Sequence, residues 1–212
     1  MNVLHICANP RPIEESASKQ LAAAFFARLV EKNPDVVVNN LDLYQDPPPY
    51  LSYDAYNYFC KPLTQADFKA SKGQEKASEY AKSQIDGLLS TDVLVLTMPM
   101  WAGGPPAIMK AWLDQVMLPG ILFEFAEDGV KPLHQLRRVV LLVSSGLVYK
   151  ENDPRDGITT LMRNNFEFIG VTDFDVAWAD GQETKMFQDC QERKEMAVEA
   201  AQEIADDIAT LP

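Results

Sequence analysis

Residues 92–118 read DVLVLTMPMWAGGPPAIMKAWLDQVML, and this stretch decides the fold. It opens on a short apolar run, residues 93–98, whose valines and leucines predict a strand buried on both faces of a parallel sheet. The glycines at 103–104 allow a tight turn and a close backbone approach to a ligand, because neither has a Cβ. The prolines at 105–106 fit the first turn of a helix, which the apolar spacing over residues 109–117 continues. A strand, a loop and a helix in this order place the loop at the carboxyl edge of the sheet, where open α/β folds bind ligands.

The rest of the chain alternates between β-rich and helical patterns. Further strands are predicted at residues 3–8, 36–43, 139–144 and 173–179, and helices after Ser16, within 64–90, over 156–168 and from about Glu183. This alternation predicts an α/β fold, a doubly wound parallel sheet of five strands with helices on both faces. The sequence has no internal repeat and no linker-like tract, so we expect residues 1–212 to form a single domain.

Composition excludes several classes of protein. A chain of 212 residues that is 47% hydrophobic and 24% charged is typical of a soluble protein with a sizeable core. Its net charge of −12 argues against nucleic-acid binding, because an acidic surface repels phosphate backbones. No apolar run reaches transmembrane length and no signal peptide is evident, so we expect a cytoplasmic protein that does not enter the membrane. The three cysteines and two histidines are too scattered to predict a disulfide scaffold or a metal site.

The loop after the first strand has the features of an anion-binding site. The sequence NPRP ends that strand, and the helix that follows opens with Ser16 and Ser18. Unpaired N–H groups at a helix start carry a partial positive charge, and serine hydroxyls add hydrogen-bond donors. Two carboxylates, Glu14 and Glu15, oppose an anion there, and Arg11 is the nearest cation that could offset them. The alternative interpretation is that one of the serines only caps the helix.

Residues 44–62, YQDPPPYLSYDAYNYFCKP, form an excursion rich in proline and tyrosine. The three consecutive prolines at 47–49 predict that it contains no regular element. Two interpretations of its aromatic side chains remain open. The excursion is either a loop folded onto its own domain, or a wall of a subunit interface or of a pocket for a flat ligand.

Two later segments add candidate site residues. Residues 121–129 alternate and end in Asp-Gly, which predicts a short hairpin arm with Phe123 and Phe125 on one face. The strand at 139–144 runs into the small residues at 144–146, which suit a close backbone approach to a ring. A plain turn would have the same sequence pattern.

The sequence PMWAGGPPAIMKAWLDQV, with GILFEFAEDG after it, resembles the flavin-contacting loop and helix of the FMN-dependent NADH azoreductases and NAD(P)H:quinone oxidoreductases. The resemblance runs through most of the chain. Five strands fit the flavodoxin-like order 2-1-3-4-5, which puts the FMN at the switch point between strands one and three. The resemblance also implies a tightly bound FMN, NADH or NADPH as electron donor, and a homodimer.

By resemblance to the motifs of that family, three loops hold the FMN. The implied residues are Ser16, Ala17 and Ser18 with Asn9 for the phosphate; Met100, Trp101, Ala102 and Gly103, through backbone amides, for the ring; and Ser144, Ser145, Gly146 and Leu147 for its other side. Phe123 and Phe125 are implied as an aromatic wall for the substrate, and the alternative interpretation is that they are ordinary core residues. The chain departs from the family at Asn9, where the family has serine, at Ala102, where it has asparagine, and in the Ser-Arg-Gly-Gly segment that begins at Ser144. The departure at Ala102 bears on redox tuning and on the choice of acceptor, and the departures at Asn9, Ala102 and Leu147 leave open a binding protein that keeps the fold without the activity.

The predicted reaction is a ping-pong transfer in which a nicotinamide gives a hydride to the flavin N5 and leaves. A quinone or an aromatic azo compound then takes its place and is reduced. The flavin carries this chemistry, so no catalytic side chain is predicted, and Tyr149 and His134 are only candidate proton donors. Three alternatives remain open: a flavodoxin-type electron carrier, a quinone reductase that uses FAD, and a binding protein that keeps the fold without the activity.

Overall fold

Seven strands appear in the computed structural model, which describes residues 1–150 and 152–211. They are β1 (Asn2–Cys7), β2 (Val37–Asp42), β3 (Val93–Pro99), β4 (Phe123–Ala126), β5 (Gly129–Pro132), β6 (Arg138–Ser144) and β7 (Asp173–Ala179). Five of them form a parallel sheet in the order β2-β1-β3-β6-β7, and β4 and β5 pair as a separate antiparallel hairpin. Counting the sheet strands alone, this is the predicted order 2-1-3-4-5, with β2 at the edge. The hairpin arm is also confirmed.

Eight α-helices connect and follow these strands in the described part of the chain. They are α1 (Ala17–Lys32), α2 (Tyr53–Cys60), α3 (Lys72–Ala77), α4 (Glu79–Ser83), α5 (Ile85–Leu89), α6 (Ala107–Val116), α7 (Thr159–Phe168) and α8 (Cys190–Ala209), with short 3-10 turns at Ile13–Glu15 and Lys61–Leu63. None of the described helices is long and apolar enough to cross a membrane.

Alternate residues of the central strands contribute to two separate hydrophobic clusters. Val93 and Val95 of β3 belong to a cluster with residues of α1 and α8, whereas Leu94 and Leu96 belong to one with residues of α6 and α7. All seven residues of β3 are buried. Because burying one valine or leucine side chain stabilises by about 1.5–3 kcal/mol, β3 fixes the position of both loops that flank it.

The prediction that residues 44–62 contain no regular element is wrong, because α2 and a 3-10 turn lie within this segment. The consecutive prolines at 47–49 precede Ser52, whose side chain accepts a hydrogen bond from the Ala55 amide at 3.1 Å and so starts α2, and the fourth proline, Pro62, lies in the 3-10 turn. One side of the excursion packs on the core through Leu51 and Phe59. On the other side Tyr50 is 84% exposed. The packed side agrees with a loop folded onto its own domain, and the interpretation as an interface or ligand wall stays a prediction.

The last helix begins at Cys190 rather than at about Glu183, which corrects the predicted boundary. The Glu183 amide donates to the Gly146 carbonyl at 3.1 Å, and the Phe187 amide donates to the Glu183 carbonyl at 3.0 Å. These bonds hold the segment after β7 as a turn against the loop after β6. This turn, which is helix-like in composition, therefore lies at the edge of the sheet that carries the other loops.

Candidate functional site

A cavity of about 390 Å³ opens at the carboxyl edge of the sheet, where the chain leaves β1, β3 and β6. These three strands are neighbours in the sheet, so the loops that follow them are adjacent. Seven predicted residues line the cavity: Ser16, Ala17, Met100, Trp101, Ser144, Ser145 and Gly146. The predicted Asn9, Ser18, Ala102, Gly103 and Leu147 are not among the lining residues.

Ser16 is the N-cap of α1, and its Oγ accepts a hydrogen bond from the Lys19 amide at 3.2 Å. The same Oγ accepts from Asn9 Nδ2 at 2.7 Å. With both lone pairs taken, the Ser16 hydroxyl hydrogen is left to donate, either to Ser18 Oγ at 3.4 Å or into the cavity. The amides of Ala17 and Ser18 lie in the first helical turn, where an N–H has no partner within the helix. Ser16 can therefore cap α1 and also donate a hydrogen bond to a bound anion.

Asn9 joins the loop after β1 to the start of α1 and is buried. Its Oδ1 accepts from the Arg11 amide at 3.1 Å, which fixes the orientation of the side-chain amide because a backbone N–H can only donate. Its Nδ2 therefore donates to Ser16 Oγ and to Ser18 Oγ, the latter at 3.1 Å. Asn9 and Ser18, both off the lining, position Ser16 and do not face the cavity themselves.

The charged side chains on the lining include more carboxylates than cations. Glu14, Glu15 and Glu183 are the carboxylates, and Arg11 and Lys194 are the cations. Arg11 Nη1 donates to the Glu15 carbonyl at 3.3 Å. An anion bound here therefore depends on neutral N–H and O–H donors together with these two cations.

A tight turn follows β3 and is closed by two hydrogen bonds between Trp101 and Gly104, at 2.9 and 3.0 Å. Between them Ala102 and Gly103 adopt φ values of 49° and 79°, the left-handed region in which an alanine is strained. The Met100 amide donates to the carbonyl of residue 144 at 2.7 Å. Since the amides of Met100 and Trp101 are engaged within the protein, only those of Ala102 and Gly103 are left from the predicted set of ring-binding amides.

The loop after β6 is fastened to the segment after β7 by a serine whose polar groups all bond within the protein. The Ser145 hydroxyl donates to the Leu147 carbonyl at 2.8 Å and accepts from Trp178 Nε1 at 2.8 Å. The Ser145 carbonyl accepts from the Gln182 amide at 2.9 Å. Ser145 therefore holds two segments together at the cavity wall.

The two predicted substrate-wall residues lie away from this cavity. Phe123 is 4% exposed and packs edge-on against Phe125 and Phe168, with ring centroids 5.4 and 5.2 Å apart. Phe125 is 56% exposed and lines a separate groove beside α2. Within one copy of the chain, Phe123 is a core residue, and the alternation that put both rings on one face did not reveal how deeply each is buried.

Sequence reasoning missed one wall of the cavity. Gln182, Glu183 and Lys194 line it, and they come from the segment after β7 and from α8. A signal for this wall was present in the sequence. Because β7 was predicted as a parallel strand of the same sheet, its carboxyl end had to open on the same edge as the other loops.

Neither candidate proton donor reaches the cavity lining. The Tyr149 ring stacks on Trp178 with centroids 5.2 Å apart. His134 Nε2 is hydrogen-bonded to the Ile169 carbonyl at 3.1 Å, and burial lowers the His134 pKa. Cys7 is buried at the end of β1, and this burial raises its pKa, so its thiol stays protonated near neutral pH.

Comparison with known proteins identifies relatives along nearly the whole chain. A family described by a flavodoxin-like fold matches residues 1–204. The FMN-dependent NADH:quinone oxidoreductase of Azotobacter vinelandii is 34% identical over 169 residues, covering 79% of this chain and 82% of that protein. The crystal structure of the azoreductase AzrA superposes with a TM-score of 0.87 at 25% identity, covering 98% of this chain and 100% of that one. An azoreductase from Bacillus anthracis gives a TM-score of 0.86 at 26% identity, covering 97% and 99%. The resemblance read from the loop sequences is confirmed.

Proposed function

The chain belongs to the family of proteins with a flavodoxin-like fold, and from this premise we propose that it is an FMN-dependent oxidoreductase. It reduces quinones or aromatic azo compounds with electrons from NADH or NADPH. The observation that carries this proposal is the cavity of about 390 Å³ where the loops after β1, β3 and β6 meet. The A. vinelandii relative is named for FMN, NADH and a quinone, and AzrA is named as an azoreductase, which supports the same reaction class.

The cavity fits an FMN in size and in the chemistry of one end. Its volume lies within the roughly 300–1,000 Å³ that is usual for small-molecule sites. At the start of α1, the Ser16 hydroxyl and the amides of Ala17 and Ser18 supply donors for a phosphate at the positive end of the helix dipole. Asn9 holds Ser16 in place through the 2.7 Å hydrogen bond.

The other loops offer surfaces for a flat ring. Met100 and Trp101 would hold the ring from the end of β3, and the free amides of Ala102 and Gly103 would be available as hydrogen-bond donors to it. The loop after β6 closes the other side through Ser144, Ser145, Gly146 and Leu147. When bound, FMN accepts a hydride from the nicotinamide and passes electrons to the acceptor. The protein's part is to bind and orient, so we assign no catalytic side chain.

We further propose that the chain acts as a homodimer. Tyr50, Tyr53 and Tyr56 are 84%, 75% and 49% exposed on the excursion. Such clustered exposed aromatic surface marks a protein interface. Phe125, also exposed, keeps its proposed role as an acceptor wall in such a dimer.

The core supports the remaining architectural proposals. The two hydrophobic clusters each draw residues from strands at the centre of the sheet and from helices distant in sequence. This arrangement supports one domain over residues 1–212, with helices on both faces of the sheet.

Purified protein tests the reaction directly. We expect a yellow protein whose flavin, released by denaturation, runs as FMN and not as FAD. NADH should bleach the flavin under anaerobic conditions, and a quinone or azo dye should restore the colour. Bleaching without turnover of any acceptor would instead indicate an electron carrier. Colourless protein that gains no flavin absorbance on titration with FMN would overturn the proposal.

A further inference from the structure

A phosphate dianion in the cavity meets an unfavourable local charge. Three carboxylates line the cavity, and of the two cations Arg11 is exposed and already donates to the Glu15 carbonyl at 3.3 Å. Lys194 is half-buried on the same lining. The Lys194 side chain makes no hydrogen bond, ion pair or ring contact within the described part of the chain. Its ammonium is therefore a cation on the lining that has all of its N–H donors available to an anion.

The packing of α1 against α8 places Lys194 level with the start of α1. Both helices follow parallel strands of one sheet and both pack in the same cluster, so they run in the same direction. Arg28 of α1 makes two hydrogen bonds to Asp206 of α8, at 2.6 and 2.8 Å. Counting twelve residues back from each of these residues, about 18 Å of helix, gives Ser16 and Lys194. The N-cap serine and the lysine thus share one end of the helix pair.

The first turn of α8 is held firmly in this position. Arg193, next to Lys194, donates to Asp180 at 2.9 Å and to Asp189 at 2.8 Å. Asp180 in turn accepts from the Tyr149 amide at 3.1 Å, which ties α8 to the loop after β6. The Lys194 backbone is therefore fixed, while its flexible stem can reach into the cavity.

We propose that Lys194 binds the phosphate of the FMN, opposite the Ser16 hydroxyl and the amides at the start of α1. This inference rests on the proposed function, and it adds a cation from α8 to the donors on α1. A charge-assisted hydrogen bond from an ammonium contributes more than one between neutral groups. The cavity wall that is formed by α8 and the segment before it thereby selects for a phosphorylated flavin.

The experiment compares FMN with riboflavin, which lacks the phosphate. Dissociation constants are measured by quenching of flavin fluorescence for the unmodified protein, Lys194→Met, Lys194→Arg and the control Lys185→Met. Lys185 lies in the neighbouring segment between β7 and α8 and is not on the lining. We expect Lys194→Met to weaken FMN binding by about tenfold or more, to leave riboflavin binding unchanged and to reduce the salt dependence of FMN binding. Lys194→Arg should restore most of the FMN affinity.

Different failures are distinguishable. Equal FMN affinity in Lys194→Met and the unmodified protein would overturn the role of Lys194 while the proposed function stands. A parallel loss of FMN and riboflavin affinity would do the same, because it would show a structural effect independent of the phosphate. If the unmodified protein bound neither flavin, the proposed function would be overturned and this inference with it.

Discussion

Gly157 is the position where one methyl group should most disturb the candidate site. A Cβ built on Gly157 would lie 2.1 Å from the Gly103 carbonyl oxygen, 3.2 Å from the Gly103 carbonyl carbon and 3.4 Å from Gly104 Cα. All three atoms are backbone atoms of the turn that presents Trp101 to the cavity. Glycine is required here by space, and substitution with alanine forces the turn away from the segment before α7.

The size of the effect follows from these distances. To reach an ordinary van der Waals separation of 3.4–4 Å from 2.1 Å, the Gly103 carbonyl oxygen must move by about 1.3–1.9 Å, and two hydrogen bonds of 2.9 and 3.0 Å close this turn. Overpacking of this kind costs about 1–3 kcal/mol. We therefore expect Gly157→Ala to lower the free energy of unfolding by that amount and, by shifting Trp101, to weaken FMN binding.

Urea unfolding followed by circular dichroism measures the first effect, and quenching of flavin fluorescence measures the second. Gly87→Ala is the matched control, because nothing lies within 4 Å of its added Cβ and it sits inside α5. That variant should be as stable as the unmodified protein or more stable by about 0.5–1 kcal/mol. The reasoning is refuted if Gly157→Ala matches the unmodified protein in both stability and FMN affinity.

Three further predictions concern single side chains. Ala102→Asn should raise the free energy of unfolding by about 0.5–1 kcal/mol in urea titrations, because asparagine tolerates the left-handed conformation better than alanine. Asn9→Asp should weaken FMN binding by about tenfold, since the serine hydroxyls would turn to donate to the new carboxylate, whereas Asn39→Asp on the exposed edge strand should not. Tyr80→Phe should stabilise by about 1 kcal/mol, because the Tyr80 hydroxyl is buried without a partner in the described chain. Burial raises the Tyr80 pKa from 10.0 to about 12, so the unmodified protein should lose stability relative to Tyr80→Phe as pH rises from about 10 to 12.

The three central strands of the sheet, β1, β3 and β6, were predictable because most of their residues are buried. The strand predicted at 173–179 coincides with β7, and that at 93–98 misses only the final Pro99 of β3. A continuous apolar run, bounded by turn residues, leaves a buried parallel strand as the simplest interpretation. The hairpin was predictable for a different reason, since Asp128-Gly129 is a local turn signal that needs no partner elsewhere in the chain.

The parts that escaped prediction depend on contacts between distant residues. Nothing near Glu183 in sequence shows that its amide will bond to Gly146, and a segment rich in polar residues before α8 looks like the start of the helix itself. Likewise, the burial of Phe123 is set by Phe168, 5.2 Å away across the fold. Local patterns identified the loops of the site, but tertiary hydrogen bonds decided which residues of each loop face the cavity.

The net charge of −12 and an anion-binding cavity are compatible because the two act over different distances. At physiological salt, charges more than about 8 Å apart are largely screened from each other. A phosphate at the start of α1 would therefore respond mainly to charges on the cavity lining, such as Lys194, Glu14 and Glu15. The distant carboxylates still repel polyanions such as nucleic acids, and a neutral quinone is indifferent to them. The acidity of the chain therefore restricts its partners without opposing its cofactor.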